Sequence, residues 1–134
     1  MTESFWTIPD TRDLRTPVTI IREQAEALTQ QTNGLLQGEV LIVPERSPTG
    51  VGLTRTRASL KIAVPYLNDY AVYVLSYTHN IDMYPGDLTN YFEDEENISI
   101  SNEDEFINAL KKILSSSTTL RILGNLLSQA NAAA

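Results

Sequence analysis

The sequence predicts an α+β domain: an antiparallel β-meander of three to four strands, with an N-terminal helix and one or two C-terminal helices packed on it. Three observations carry this expectation. Apolar residues recur at helical spacing early in the chain and again after residue 102, whereas between 35 and 79 the spacing falls to two. Turn-forming pairs punctuate the middle region at short intervals, which favours hairpin connections over crossovers. The chain of 134 residues shows no internal repeat, and its 42% hydrophobic and 20% charged residues are spread evenly, as in an ordered globule. We therefore expect one domain over 1–134, with an irregular arm at 1–15 and a frayed tail at 131–134.

Residues 1–15 have no period, and Pro9-Asp10 discourages regular structure. Trp6 is expected to anchor this arm on the domain. Thr16-Pro17 then reads as a helix N-cap followed by proline at the first helical position, where its missing N–H costs nothing. Val18, Ile21, Ala25 and Leu28 continue at helical spacing until Asn33-Gly34, so a helix is expected over 16–32.

From 35 to 43 alternation sets in, with Leu36, Val40 and Ile42 on one face and Gln37 and Glu39 on the other. Two prolines and two glycines make 44–52 a loop between neighbouring strands. Over 53–64, Ala58, Leu60, Ile62 and Val64 alternate with Arg55, Arg57, Ser59 and Lys61, the pattern of a sheet with one wet face. After the Asn68-Asp69 turn, 70–79 is rich in tyrosine and valine on both faces and reads as a central strand. Ile81, Met83 and Tyr84 offer a brief further pairing, and Ile98-Ser99-Ile100 another.

Ser101-Asn102 precedes acidic residues as a helix cap should, and Phe106, Ile107, Leu110, Ile113 and Leu114 form an amphipathic stripe. Ser115-Ser116-Ser117 interrupts it before Leu120, Leu123 and Leu127 resume, which admits either two helices or one bent helix. The expected core is Ile21, Leu28, Leu60, Ile62, Val64, Val72, Val74, Phe106, Leu110 and Ile113.

Composition limits the chemistry. With no cysteine there is no disulfide, thiolate nucleophile or Cys-type zinc site. Net charge is −7, and its distribution is uneven: 1–61 is balanced, while 62–110 contains ten carboxylates and no lysine or arginine. Such a segment repels phosphate backbones and anionic lipid, so neither nucleic acid nor a membrane is the expected partner. No stretch reads as a signal sequence or a membrane span, and a cytoplasmic setting is expected.

The sequence contains no recognisable catalytic constellation. The lone histidine, His79, has Asp82 and Tyr84 nearby, and a small-ligand or acid-base pocket around these three is the alternative functional reading. A histidine capping a strand-end turn explains His79 more simply. The acidic run Glu93, Asp94, Glu95, Glu96 lacks the alternate-position spacing and glycine of a calcium loop, so no metal site is expected. Gly50-Val51-Gly52 lacks the lysine of a phosphate-binding loop, there is no G-x-S-x-G elbow, and no cofactor is indicated. Arg55, Arg57 and Lys61 are accounted for by cross-strand pairing with Gln37 and Glu39.

What remains is a concentration of tyrosine and carboxylate. Tyr84, Asp87, Tyr91, Phe92, Glu93, Asp94, Glu95 and Glu96 are expected to form an anionic and aromatic binding surface suited to a basic protein partner. The leading expectation is thus a small acidic interaction domain that masks a partner, in an immunity-like or chaperone-like role, rather than an enzyme. A third possibility is a subunit whose exposed sheet edge pairs with a copy of itself.

Overall fold

Thr16 caps the first helix as its sequence requires: its hydroxyl accepts from the Thr19 N–H at 3.1 Å, and α1 runs Pro17–Gln31. In the computed structural model, which describes residues 3–46 and 54–134, five strands and two further helices follow. The strands are β1 (Gln37–Glu45), β2 (Arg55–Val64), β3 (Tyr70–His79), β4 (Gly86–Asn90) and β5 (Glu96–Ile100). The helices are α2 (Glu103–Leu114) and α3 (Ser117–Ala133). The sheet is an antiparallel meander in the order β1-β2-β3-β4-β5.

The α+β architecture is as the sequence predicts, with one strand more. The brief pairing expected near Ile81, Met83 and Tyr84 lies instead at Gly86–Asn90, whose single apolar residue, Leu88, gives no alternation to read. Residues 80–83 form the preceding turn, closed by the Met83 N–H on the Asn80 carbonyl at 3.0 Å. β1 continues through Pro44, which the sequence assigned to a loop. On an edge strand a missing N–H is tolerated because one side of the strand has no ladder to complete. Most of that loop, including Gly50-Val51-Gly52, lies outside the described residues.

The C-terminal region is two helices. Ser115 closes α2, while the Ser116 hydroxyl accepts from the Thr119 N–H and caps α3. Thr119 is buried at the elbow and donates to the Ile113 carbonyl at 2.7 Å. The frayed tail expected at 131–134 is helical to Ala133, held by Ala130, which is fully buried.

All three helices lie on one face of the sheet. Ile21 and Ala25 of α1, Phe106, Leu110 and Ile113 of α2, and Leu126 and Ala130 of α3 join Ala58, Leu60, Ile62, Val64, Leu75, Tyr77, Leu88 and Ile100 in one core. Of the expected core residues, Leu28 and Val72 are half-buried at its margin and the rest are buried. The joint between α1 and β1 is backbone-tight. A Cβ on Gly38 would collide with the Ala25 backbone, and the Gly38 N–H donates to the Thr29 hydroxyl at 3.0 Å.

The N-terminal arm differs from expectation. Trp6 is 84% exposed and anchors nothing; Phe5 and Ile8 are similarly bare. Among the described residues the side-chain hydrogen bonds made by residues 4–12 stay within the arm, chiefly Arg12 to Asp10.

Candidate protein-interaction face

The helices cover one side of the sheet and leave the other open. Partnered residues in an antiparallel ladder point to the same side, so register assigns the open face. It comprises Glu39, Leu41, Val43 and Glu45 of β1, Arg55, Arg57, Ser59 and Lys61 of β2, and Asp87 and Thr89 of β4. β3 supplies Tyr73, Ser76 and Thr78, and its contribution depends on a bulge. Leu60 pairs with Leu75 but Lys61 pairs with Tyr73, so one extra residue, Val74, is inserted. Val74 and Leu75 both enter the core, and every residue before them is inverted relative to simple alternation. By parity alone Tyr73 would share the buried side of Leu75 and Tyr77. The bulge turns it out, to 47% exposure, where its ring lies 6.1 Å from that of Tyr91.

This pair of tyrosines borders a groove of about 600 Å³ with Leu41 and Val43 opposite, Arg57 and Ser59 between, and Glu95 at the hairpin end. Leu41 and Val43 are exposed, and Tyr91 is half-buried with its hydroxyl 2.9 Å from Ser76 Oγ. The cationic ridge on β2 is engaged by its neighbours. Arg57 pairs with Glu45 at 2.7 Å, Arg55 with Glu45 at 3.2 Å and Asp87 at 4.0 Å, and Lys61 with Glu39 at 3.5 Å. Glu39 thus acts as the sequence suggested, and Glu45 takes the place expected of Gln37. Among the described residues no ion pair reaches Glu93, Asp94, Glu95 or Glu96. These four sit exposed at the β4–β5 turn, where Asp94 and Glu95 take positive φ.

The residues singled out from the sequence therefore divide. Asp87, Tyr91 and Glu95 border the open face. Glu93 and Glu96 flank a separate groove beside α2, near Lys112. Phe92 is half-buried against the core, its N–H donating to the Asn90 side-chain oxygen at 3.1 Å. Tyr84 lies on the helix side, its ring 6.0 Å from Tyr77 and 6.1 Å from Phe106. Leu41, Val43 and Tyr73 were not singled out. Continuing the alternation of Gln37 and Glu39 reaches Leu41 and Val43, but nothing local announces the inversion at Tyr73.

Around His79, the cavity is lined by Arg55, Asn80, Asp87 and Ser101 among others, and neither Asp82 nor Tyr84 borders it. His79 Nδ1 lies 2.6 Å from the Asn80 carbonyl, a strand-end turn contact, and its ring stacks at 5.4 Å on Tyr77. Burial, reinforced by Glu103 and opposed by Arg15, pushes the Tyr84 hydroxyl up to about 12. Burial, with Tyr84 and Asp87 nearby, also raises Tyr77, which donates to the Met83 carbonyl at 2.7 Å. Both phenols are thus neutral packing groups at ordinary pH. A further cavity of about 160 Å³ between α1, the sheet and the C-terminal helices is bordered by Leu28, Leu60, Ile62 and Leu123 and has no titratable group on its lining. Among the described residues no cluster of His, Asp and Glu could hold a metal ion, and no helix is long and apolar enough to cross a membrane.

Compared with protein-family models, curated proteins and solved structures, the chain matches none.

Proposed function

We propose that this protein is an interaction domain that binds and masks a basic protein surface through the open face of its sheet and the adjoining β4–β5 turn. One observation carries the reading: the lysine and arginines of the open face already have carboxylate partners, while among the described residues no ion pair reaches the carboxylates of the adjoining β4–β5 turn, of which Glu95 borders the face. Glu95 therefore sets uncompensated negative charge at the end of a face that exposes Leu41, Val43 and Tyr73. Charge of this kind sets the encounter rate and its salt dependence, and the apolar strip supplies the area that holds the complex together. An immunity-like or chaperone-like role, in which a cationic surface is covered until needed, fits that combination.

The test is capture from the native host at low salt, using the parent and two variants. Replacing Glu93, Asp94, Glu95 and Glu96 by Ser should slow association with the captured partner and flatten its salt dependence. Tyr73→Ala should chiefly speed dissociation. A partner held equally well by both variants would place the binding surface elsewhere.

A further inference from the structure

The first strand is unpartnered in three directions at once. Among the described residues its outer edge has no neighbouring strand, since β1 ends the sheet, and α1 meets that edge at the Gly38 N–H through Thr29. Leu41 and Val43 are 44% and 43% exposed on the open face, and Ile42 is 42% exposed on the helix face. Val40-Leu41-Ile42-Val43 is thus an apolar run in the middle of a nine-residue edge strand. Edges of this length are ordinarily blunted by inward charges, bulges or covering loops. Among the described residues the blunting features are Glu39, Pro44, Glu45 and the Thr29 hydroxyl on the Gly38 N–H, all towards the ends.

We infer that β1 pairs antiparallel with β1 of a second copy, about a two-fold axis at Leu41, joining the two sheets into one of ten strands. The register follows from charge and parity. A two-fold axis perpendicular to the sheet keeps open face against open face, so only residues of equal parity oppose each other. With the axis at Leu41, Leu41 meets its own copy, Val40 meets Ile42, Glu39 meets Val43 and Gln37 meets Glu45. No carboxylate opposes another, and Pro44, lacking an N–H, falls opposite Gly38 near each end. Moving the axis to Ile42 would set Glu39 against Glu45 twice, a like-charge cost. Moving it to Val40 leaves Ile42 opposite Gly38 and Val43 opposite Gln37, which forfeits the apolar pairs. The pairing gives the backbone groups of Val40 and Ile42 their partners and sets Leu41 and Val43 of both copies in one continuous strip on the joined open face, where Tyr73 and the β4–β5 turn also stay open.

The chain has no cysteine, so single cysteines report the register directly. Opposed residues in such a ladder have Cα atoms about 4.5 to 5.5 Å apart, within disulfide reach, whereas a residue one position off the axis lies two positions along the ladder from its own copy and exceeds it. Under copper-phenanthroline oxidation, Leu41→Cys should give a covalent dimer. Val40→Cys and Ile42→Cys should each stay uncrosslinked alone and crosslink when mixed. Light scattering on the parent should give twice the 14.9 kDa chain mass. Leu41→Lys should return it to one chain mass with its circular dichroism unchanged. A parent that remains monomeric at about 0.1 mM, crosslinking that does not peak at Leu41, or a dimer lost on removing residues 1–14 overturns the inference. Neither result bears on the tests at Tyr73 and the acidic turn.

Discussion

Two tyrosines in the same aromatic cluster illustrate how a single atom's surroundings decide its worth. The Tyr77 hydroxyl has a part-buried acceptor, the Met83 carbonyl, whereas the Tyr84 hydroxyl is buried with no hydrogen-bond partner among the described residues. Removing a satisfied buried donor strands its acceptor, and removing an unsatisfied one relieves a desolvation cost. Tyr77→Phe should therefore lower stability by about 1 kcal/mol in urea unfolding, while Tyr84→Phe should leave it unchanged or raise it. Alkali provides a second check. Both phenols have folded pKa values above the ordinary 10.0, so the unfolded chain loses these protons first. Their contribution is complete below pH 10 and declines as pH rises from there towards 12. The melting temperature should fall across that window, and fall less steeply in Tyr84→Phe. An equal slope in the parent and the variant would show that Tyr84 does not govern it.

Among the elements, the joint between α1 and β1 shows how a helix and a strand are fixed by contacts that periodicity does not express. Thr29 and Thr32, polar residues near the end of an amphipathic helix, turn back to the chain that follows. The Thr32 hydroxyl lies 3.0 Å from the Leu36 carbonyl and accepts from the Leu36 N–H, while Thr29 receives Gly38. Gly38 has no room for a methyl group against Ala25. Gly38→Ala should force α1 away from the sheet and cost roughly 1 to 3 kcal/mol, read as a lower urea midpoint with unchanged m-value. The capped ends behave otherwise. Thr16 and Asn102 are legible because a cap is satisfied within three residues, and these side chains, like that of Ser116, accept the N–H three positions on.

For the molecule as a whole, the asymmetry of the sheet is the organising fact: one face carries the entire core and the other carries charge, tyrosine and a groove. Stability therefore resides in the sheet and helices, and the arm contributes little to it. Removing residues 3–14, whose large apolar side chains are bare, should move the unfolding free energy by no more than about 0.5 kcal/mol. A larger loss would mean that Trp6 packs on the domain after all.

By itself the sequence determined the first helix, helical structure after Asn102, the three long strands, eight of the buried core residues and the segregation of negative charge beyond residue 61, because each is written in neighbours a few positions apart; whether the C-terminal region is one helix or two, and the core places of Leu75, Tyr77, Leu88 and Ile100, were not legible there. Helical spacing exposes Ile21, Phe106 and Leu110, strict alternation exposes Leu60, Ile62 and Val64, and the absence of basic residues over 62–110 needs no fold to be seen. Tertiary structure alone decided which of the aromatic residues face which way. The β3 bulge brings Tyr73 out beside Tyr91, a pairing of residues far apart in sequence. β4, too short and polar to show a period, finds its place by hydrogen bonding between β3 and β5 and by burying Leu88 in the core. The acidic stretch, continuous in sequence, is divided between two sides of the sheet, with Tyr84 and Phe92 turned to the core and Asp87 and Tyr91 to the open face. Register, rather than composition, makes that division, since one inserted residue reverses the side on which every earlier residue of a strand stands.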